Sequence, residues 1–187
     1  VGQEAVISLK DVAAATLGHL GMIGDAVLND TPRTKSGNAL YGAYGQDFQC
    51  SDGRRVMVIG LTGRQWSGLV KVTKTQAAMT ALARRTKRDL SDEGVRWELR
   101  ADITEILKPW FATRPSSVVA ELFDQAKLTW SEFRTVKEAV SNDPDLSVDN
   151  PMFEELSQAG LGRFPVPGHA ASFSEIDRES PREAPVL

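Results

Sequence analysis

The chain has 187 residues, of which 41% are apolar, and a formal net charge of −3. This length predicts one globular domain or a small domain with extended arms, and the interspersed charges give no reason to expect nucleic acid or an anionic membrane as partner. The single cysteine, Cys50, excludes an intrachain disulfide framework and fits a reducing cytosol. Cysteines and histidines show no zinc-site spacing, and no apolar run reaches membrane-spanning length.

The first predicted element is one helix over residues 8–28. Ser8 and Asp11 are placed for a capping box, and apolar residues then recur every three or four positions. His19 lies in this helix among small residues and receives no role. The polar segment Asn29 to Ser36 contains a proline and marks the predicted domain boundary.

A glycine-spaced loop and a β-hairpin are predicted next. The loop is Gly42-Ala43-Tyr44-Gly45-Gln46, where the glycines permit positive φ or a close approach to a ligand. Two strands, Asp47–Cys50 and Arg54–Ile59, flank the turn Ser51-Asp52-Gly53, in which Asp-Gly favours hairpin geometry. The loop is therefore expected to hang from a rigid hairpin.

Four helices are predicted to pack on this hairpin. Their N-terminal signals are Thr62, Thr75, Ser91-Asp92-Glu93 and Arg114-Pro115-Ser116-Ser117. The residues predicted to face inward are, helix by helix, Trp66, Leu69 and Val70; Ala77, Ala78, Ala81 and Leu82; Trp97, Ile103, Ile106, Leu107 and Trp110; Val118, Val119, Leu122 and Phe123.

Three patterns match other kinds of site only in part. The basic residues at 84–88 suit either a polyphosphate site or, more commonly, a solvated helix end. Residues 56–68 have the strand, glycine turn and helix of a dinucleotide site, but their glycine spacing is G-x-x-G and not G-x-G-x-x-G. An alanine-rich helix also follows where that site needs a second parallel strand. Cys50 is far in sequence from His19 and His169, so no nucleophile–base pair is assigned.

The pattern loosens after Leu128. A short helix is predicted near residues 136–140 and a turn at Asn142-Asp143-Pro144-Asp145. Residues 160–187 are punctuated by proline and glycine and are predicted to lie extended across another surface, with His169 in an exposed loop.

Three separated stretches share the pattern of a known family. The first is GQEAVISL at residues 2–9, and the second combines Gly37-Asn38 with YGAYGQ at 41–46 and SDGR at 51–54. The third runs from FRTV at 133–136 through Asp143-Pro144 to Phe173-Ser174 and Ala184-Pro185. In this order they resemble the class III CoA-transferase family, which includes carnitine and formate CoA-transferases and acyl-CoA racemases.

The resemblance and the predicted elements together imply an α+β fold. We expect a small antiparallel sheet with several helices, preceded by a helix of the large-domain type and followed by an extended C-terminal linker. Residues 1–35 would belong to the large domain, 36–140 would form the small domain and 141–187 would lead back to the large domain. On this interpretation the chain is an internal piece of a longer protein.

In the family an aspartate carboxylate attacks an acyl-CoA thioester to form a mixed anhydride. That aspartate lies upstream of the G-Q-x-V-x-V-S-L stretch, so the chain alone is expected to be inactive. A glycine-rich loop followed by glutamine closes over the intermediate, and Gly42, Gly45 and Gln46 match its positions. Tyr44 departs from the all-glycine form; it could line the acyl pocket or stiffen the loop. An ordinary tight loop before a hairpin is the alternative.

Within the family, YGAYGQDF and VMVIGLTGRQWSGLVK look most like the branch of mesaconyl-CoA C1–C4 CoA-transferases, or 2-methylfumaryl-CoA isomerases. This likeness implies intramolecular CoA transfer on a coenzyme A thioester substrate, no tightly bound cofactor, no nucleic-acid or membrane partner, a homodimeric parent protein and a cytoplasmic location. Three alternatives stay open: an intermolecular CoA-transferase, an acyl-CoA racemase and a non-catalytic binding or interaction module.

Overall fold

The computed structural model describes residues 2–30 and 32–185. Thr31, in the predicted boundary segment, and Val186 and Leu187, at the end of the predicted return linker, lie outside this range, as does Val1. In the described part the elements are α1 (Leu9–His19), α2 (Met22–Asn29), β1 (Tyr44–Gln49), β2 (Arg55–Gly60), α3 (Gly63–Val72), α4 (Gln76–Thr86), α5 (Glu93–Glu98), α6 (Arg100–Ala112), α7 (Ser116–Gln125), β3 (Thr129–Glu132), α8 (Val136–Asn142), β4 (Phe153–Gln158) and β5 (Gly162–Pro167). The predicted α+β class is confirmed.

A three-stranded antiparallel sheet forms the centre, in the order β1-β2-β3. The predicted hairpin is present, and Gly53 takes the positive φ of 81° that its turn requires. Val56 and Val58 on the central strand have no exposed surface. The third strand was not predicted; it pairs with β2 so that Trp130 lies opposite Val58.

Helices α3 to α7 supply the rest of the core. The rings of Phe48 on β1 and Phe111 on α6 stack with centroids 4.1 Å apart. Other buried core residues are Leu69, Val70, Met79, Leu82, Leu90, Val95, Ile103, Leu107, Val119 and Phe123. The sheet is therefore covered by the five helices of the segment that connects β2 to β3.

Arg96 is a buried charged residue that ties two loops together. Only 1% of its surface is exposed. Its Nη1 donates to the carbonyls of Leu90 (3.0 Å) and Ser91 (2.8 Å), and Nη2 donates to the carbonyl of Leu61 (2.7 Å). The guanidinium thus fixes the end of β2 against the segment before α5.

The N-terminus of α3 was predicted correctly. The Thr62 hydroxyl accepts a hydrogen bond from Gln65 N, and the Gln65 side chain accepts one from Thr62 N, which completes a capping box. Trp66, Leu69 and Val70 are buried as expected.

Four details of the other helices were predicted wrongly. The Thr75 side chain makes no capping hydrogen bond, and Met79 joins Leu82 on the buried face of α4, while the three alanines are exposed. The predicted third helix is two helices, α5 and α6, which meet at Leu99. Val118 is 38% exposed instead of facing inward.

The two ends of the chain also differ from the prediction. The expected single helix over 8–28 is broken at Gly21, whose φ of 71° is left-handed and ends the regular helix. The expected extended linker contains the hairpin β4–β5, whose turn has Gly160 and Gly162 at positive φ. Residues 168–185 form no helix or strand, in line with the prediction for the tail.

Candidate functional site

The four predicted site residues lie in a turn and in the first strand. Gly42 has a φ of 81° and belongs to the turn before β1. Tyr44, Gly45 and Gln46 are the first three residues of β1, paired with Gly60, Ile59 and Val58 of β2. The prediction that all four form a loop was therefore wrong, since hydrogen bonding to β2 extends the strand three residues further back than the sequence suggested.

The position of Gly45 has no room for a Cβ, because the preceding turn lies against it. A Cβ at this position would be 2.7 Å from Leu40 Cβ and 3.3 Å from Met57 Cε. Leu40 N also donates a hydrogen bond to the Gly45 carbonyl, at 2.9 Å. The glycine thus allows the 36–41 turn to pack directly on β1.

Tyr44 anchors the strand to α6. Its side chain has no exposed surface, its Oη is 3.0 Å from Thr104 Oγ1, and its ring lies 5.7 Å from the ring of Trp66. Burial raises the pKa of Tyr44, and the hydrogen bond to Thr104 offsets only part of that rise. These contacts favour the stiffening role over pocket lining, because the ring is inaccessible to a ligand in this structure.

Gln46 is half-buried and is held by a charged pair beside it. Its Nε2 donates to Asp47 Oδ1 at 2.8 Å, and Arg55 Nε donates to Asp47 Oδ2 at 2.8 Å. Burial of Asp47 favours a higher pKa, but the hydrogen bonds and charge of Arg55, with further hydrogen bonds from Asn38 and Gln46, outweigh it and lower the pKa. The amide of Gln46 is therefore fixed by an ionised carboxylate.

An open groove of about 360 Å³ runs beside Gln46. Residues 35–39, which overlap the 36–41 turn and are called the 35–39 turn below, form one wall. The first turns of α6 form the other. The lining residues are Lys35, Ser36, Ala39, Gln46, Arg100, Ala101, Thr104 and Glu105. Sequence reasoning found only Gln46 among them, because neither spacing nor a motif links the other residues.

Two neighbouring aromatic rings, with an arginine over each, lead from the N-terminal helices to this groove. The Arg100 guanidinium lies 3.9 Å from the Trp97 ring centroid, the Trp97 and Tyr41 rings are 4.9 Å apart, and Arg33 lies 3.8 Å over Tyr41. Asp25 on α2 accepts hydrogen bonds from Tyr41 Oη (2.8 Å) and Arg33 Nε (2.9 Å). The hydrogen bond to Asp25 raises the pKa of Tyr41, and those from Tyr41 and Arg33 lower the pKa of Asp25.

The remaining candidates make poor reactive sites. Cys50 is buried, and burial raises the pKa of its thiol, with Asp52 and Glu132 adding to the rise; such a cysteine is a weak nucleophile. Two arginines of the basic cluster at 84–88 pair with carboxylates on other helices, which favours the solvated helix end. His19 and His169 are exposed.

Two features are absent from the part of the chain that the structure describes. Within residues 2–30 and 32–185 no three histidine, cysteine or carboxylate side chains cluster as metal ligands would. In the same ranges no helix has the length and apolar character needed to cross a bilayer.

Comparison with known proteins supplies the family. Residues 1–187 match the profile described as CoA-transferase family III. The chain belongs to CoA-transferase family III. It is also 45% identical over 186 residues to a 2-methylfumaryl-CoA isomerase of Chloroflexus aurantiacus, an alignment that covers 100% of this chain and 46% of that protein. The family inferred from the three sequence stretches is thus confirmed.

Solved structures agree on the fold of this family III chain. A CAIB/BAIF family protein from Brucella suis superposes with a TM-score of 0.61 at 20% identity, covering 97% of this chain and 45% of that one. Rv3272 from M. tuberculosis superposes with a TM-score of 0.63 at 15% identity, covering 91% and 41%. The chain therefore spans about half the length of the relatives that it matches.

Proposed function

We propose that the chain is the small-domain portion of a CoA-transferase that moves CoA within a mesaconyl group, as a 2-methylfumaryl-CoA isomerase. The observation that carries the proposal is the 45% identity to such an isomerase along the whole chain. The aligned 186 residues span the part of the chain that holds the groove and the rigid strand beside it. An acyl-CoA racemase of the same family is an outcome that the assay below separates from it, and labelled free mesaconate separates an intermolecular CoA-transferase.

The proposed reaction is covalent catalysis by a carboxylate of the longer protein. The aspartate oxygen attacks the thioester carbonyl, the C–S bond breaks with its electron pair going to sulfur, and an acyl–aspartyl anhydride forms. The thiolate then attacks the aspartyl carbonyl of the anhydride, which frees the first carboxylate of the methylfumarate and leaves an aspartyl-CoA thioester. The other carboxylate of the same methylfumarate attacks this thioester and expels the thiolate, giving a second anhydride. Attack of the thiolate on the acyl carbonyl of that anhydride forms the C4 thioester and frees the aspartate. No oxidant or metal is required by this balance.

The part that this chain would contribute is a rigid edge to the reaction chamber. Tyr44 is fixed by Thr104, and Gly45 by the turn that packs on it, so the Gln46 amide is held in place before substrate arrives. A preorganised amide stabilises negative charge that develops on a carbonyl oxygen, and a tightly packed strand end leaves less room for water beside the anhydride. We assign these two roles to the strand end that carries Gln46.

The domain division follows from the same proposal. Residues 1–35 would pack on the large domain, 36–140 would be the small domain and 141–187 would return to the large domain. Support comes from α1 and α2, whose apolar side chains are largely exposed; among them are Leu9, Val12, Leu20, Ile23 and Val27. The full-length protein would be a cytoplasmic homodimer without a tightly bound cofactor.

The test uses the full-length protein that contains this chain. Mesaconyl-C1-CoA is added, and the appearance of the C4 thioester is followed by chromatography. Gln46→Ala should lower kcat by about a hundredfold, the usual effect of removing one donor to a developing oxyanion. Gln49→Ala is the matched control, because Gln49 is an exposed glutamine on the same strand.

Equal rates for the two variants would contradict the role assigned to Gln46. Failure of the wild-type protein to form the C4 thioester would contradict the proposed function itself. Proton exchange at the α-carbon of a saturated acyl-CoA would then indicate a racemase, and CoA binding without turnover would indicate a binding module.

A further inference from the structure

We propose that the groove beside Gln46 binds the carboxylate of the acyl group that is not in the thioester, with Arg100 and Lys35 as its cations. The site would thereby select dicarboxylic over monocarboxylic acyl groups. This inference rests on the proposed function, since it names the substrate class of the same chamber.

Arg100 is the stronger of the two anchors because its side chain is already fixed. Its Nη1 donates to the Trp97 carbonyl at 2.9 Å, and its guanidinium lies over the Trp97 ring at 3.9 Å. The residue is half-buried at the base of α6. A planar guanidinium held in this way loses little further freedom when it binds a carboxylate, which is why arginine suits such sites.

Neither cation of the groove is neutralised by the described part of the chain. Within residues 2–30 and 32–185, no carboxylate lies in ion-pair distance of Arg100 or Lys35. Glu105 also lines the groove, but Lys108 Nζ lies 3.4 Å from its Oε1 and offsets its charge. The groove therefore has an excess of positive charge for one more anion.

The neighbouring polar groups suit a carboxylate as well. Ser36 lies on the same wall as Lys35 and offers a hydroxyl donor. The half-buried Gln46 completes the lining between the two walls, and its amide, which already donates to Asp47, is left for the reacting carbonyl. Hydrogen bonds from neutral donors beside a cation add to carboxylate affinity. Lys35 and Ser36 come from the 35–39 turn, Gln46 from β1 and Arg100 from α6, so the fold itself assembles the site.

A carboxylate held next to Gln46 would also serve the reaction. Intramolecular transfer requires that the second carboxylate stay near the reacting centre after CoA has left the first. Holding it there replaces a bimolecular encounter with a unimolecular step. An acyl group without this carboxylate would leave the arginine unpaired and would bind less tightly.

The test compares two acyl-CoA thioesters that differ only in this group. Mesaconyl-C1-CoA carries the second carboxylate, and 2-methylbut-2-enoyl-CoA has a methyl group in its place. Binding of each to the full-length protein is measured by titration calorimetry, and turnover is measured separately. We expect the dicarboxylic thioester to bind about ten- to a hundredfold more tightly, which is the range of one hydrogen-bonded charge pair.

Arg100→Met should abolish this preference without changing the affinity for the methyl analogue, and Arg100→Lys should retain part of it. Arg114→Met is the matched control, because Arg114 donates to the Trp110 carbonyl at 2.8 Å and lies 4.4 Å over the Trp110 ring, away from the groove. If Arg100→Met does not fold, Lys35→Met at an exposed side chain provides the same test with a smaller loss.

The outcomes separate the two proposals. A preference for the dicarboxylic thioester that survives in Arg100→Met and Lys35→Met overturns the groove assignment, whatever the turnover. An equal loss of affinity for both thioesters also overturns it, because Arg100 would then act on the shared CoA portion. The wild-type protein could also prefer the dicarboxylic thioester without turning it over. If Arg100→Met then loses that preference, the groove assignment is supported and the isomerase function is contradicted.

Discussion

Replacing Gly45 by alanine tests the close packing on which the candidate site depends. The new Cβ would meet Leu40 Cβ at 2.7 Å, whereas ordinary contacts lie at 3.4–4 Å. Leu40 Cβ cannot rotate away because it is attached directly to the backbone. The whole 36–41 turn, which carries one wall of the groove, must therefore move by roughly 1 Å.

The cost of that movement can be worked out from two opposing effects. Overpacking of a tight contact costs about 1–3 kcal/mol. Alanine loses less conformational freedom than glycine on folding, which returns about 0.4–1 kcal/mol. We expect Gly45→Ala to destabilise the turn by about 1–2 kcal/mol.

The assay is amide hydrogen exchange at Leu40, whose N–H donates to the Gly45 carbonyl at 2.9 Å. A loss of about 1.4 kcal/mol accelerates exchange about tenfold when opening is local. Gly68→Ala is the control: its Cβ would lie 2.6 Å from Leu128 Cδ2, the mobile end of a side chain, and alanine favours the helix by about 1 kcal/mol. Unchanged Leu40 exchange in Gly45→Ala, or equal destabilisation by both variants, would refute the reasoning.

Three further predictions concern charged and hydroxyl groups in the sheet. Arg55→Met should lower the free energy of unfolding by about 1–2 kcal/mol, because Asp47, with 4% of its side chain exposed, loses its cation. Arg54→Met is the control and should cost less, because its partner Glu132 is more exposed. Equal losses for the two variants in urea denaturation would contradict this. Because the pKa of Asp47 is lowered in the folded protein, its contribution is complete above about pH 4 and disappears as the pH falls through the lowered value, so the difference between wild type and Arg55→Met should shrink in acid. Tyr44→Phe should lower the free energy of unfolding by about 0.5–1.5 kcal/mol, because it loses the hydrogen bond to Thr104 that anchors β1 to α6; an unchanged urea denaturation midpoint would contradict that anchoring role.

Features set by short-range chemistry were predictable from the sequence. The capping box of Thr62 with Gln65 uses residues three apart, and the Asp-Gly turn uses adjacent ones. Both are present, and the longer-range hydrogen bonds of Asp52 with Ser116 and of Gln65 with Thr129 add to them without replacing them. The α+β class followed from such local signals together with the family pattern.

Features set by tertiary contacts were not predictable in the same way. Gly45 was assigned to a loop because glycine permits positive φ or close approach to a ligand and matches the family's glycine-rich loop, but this glycine serves close packing with Leu40 within a strand. β3 is four residues long and pairs with a strand that lies more than seventy positions earlier, so its periodicity is too short to be noticed. The inward face of α4 was misjudged because Met79 reaches the core where alanines cannot.

The candidate site shows the same limit. Gln46 was found through its place in the family pattern, whereas Arg100 and Lys35 belong to no motif and come together only in the folded chain. Their identification needed the groove and the stacking of Arg100 on Trp97.

The most direct measurement of the central claim uses isotope-labelled free mesaconate. The full-length protein is incubated with unlabelled mesaconyl-C1-CoA and the labelled acid, and both CoA regioisomers are analysed by mass spectrometry. Our account predicts conversion to the C4 thioester without label, because CoA returns to the acyl group from which it came. Label in either thioester would contradict intramolecular transfer and indicate an intermolecular CoA-transferase.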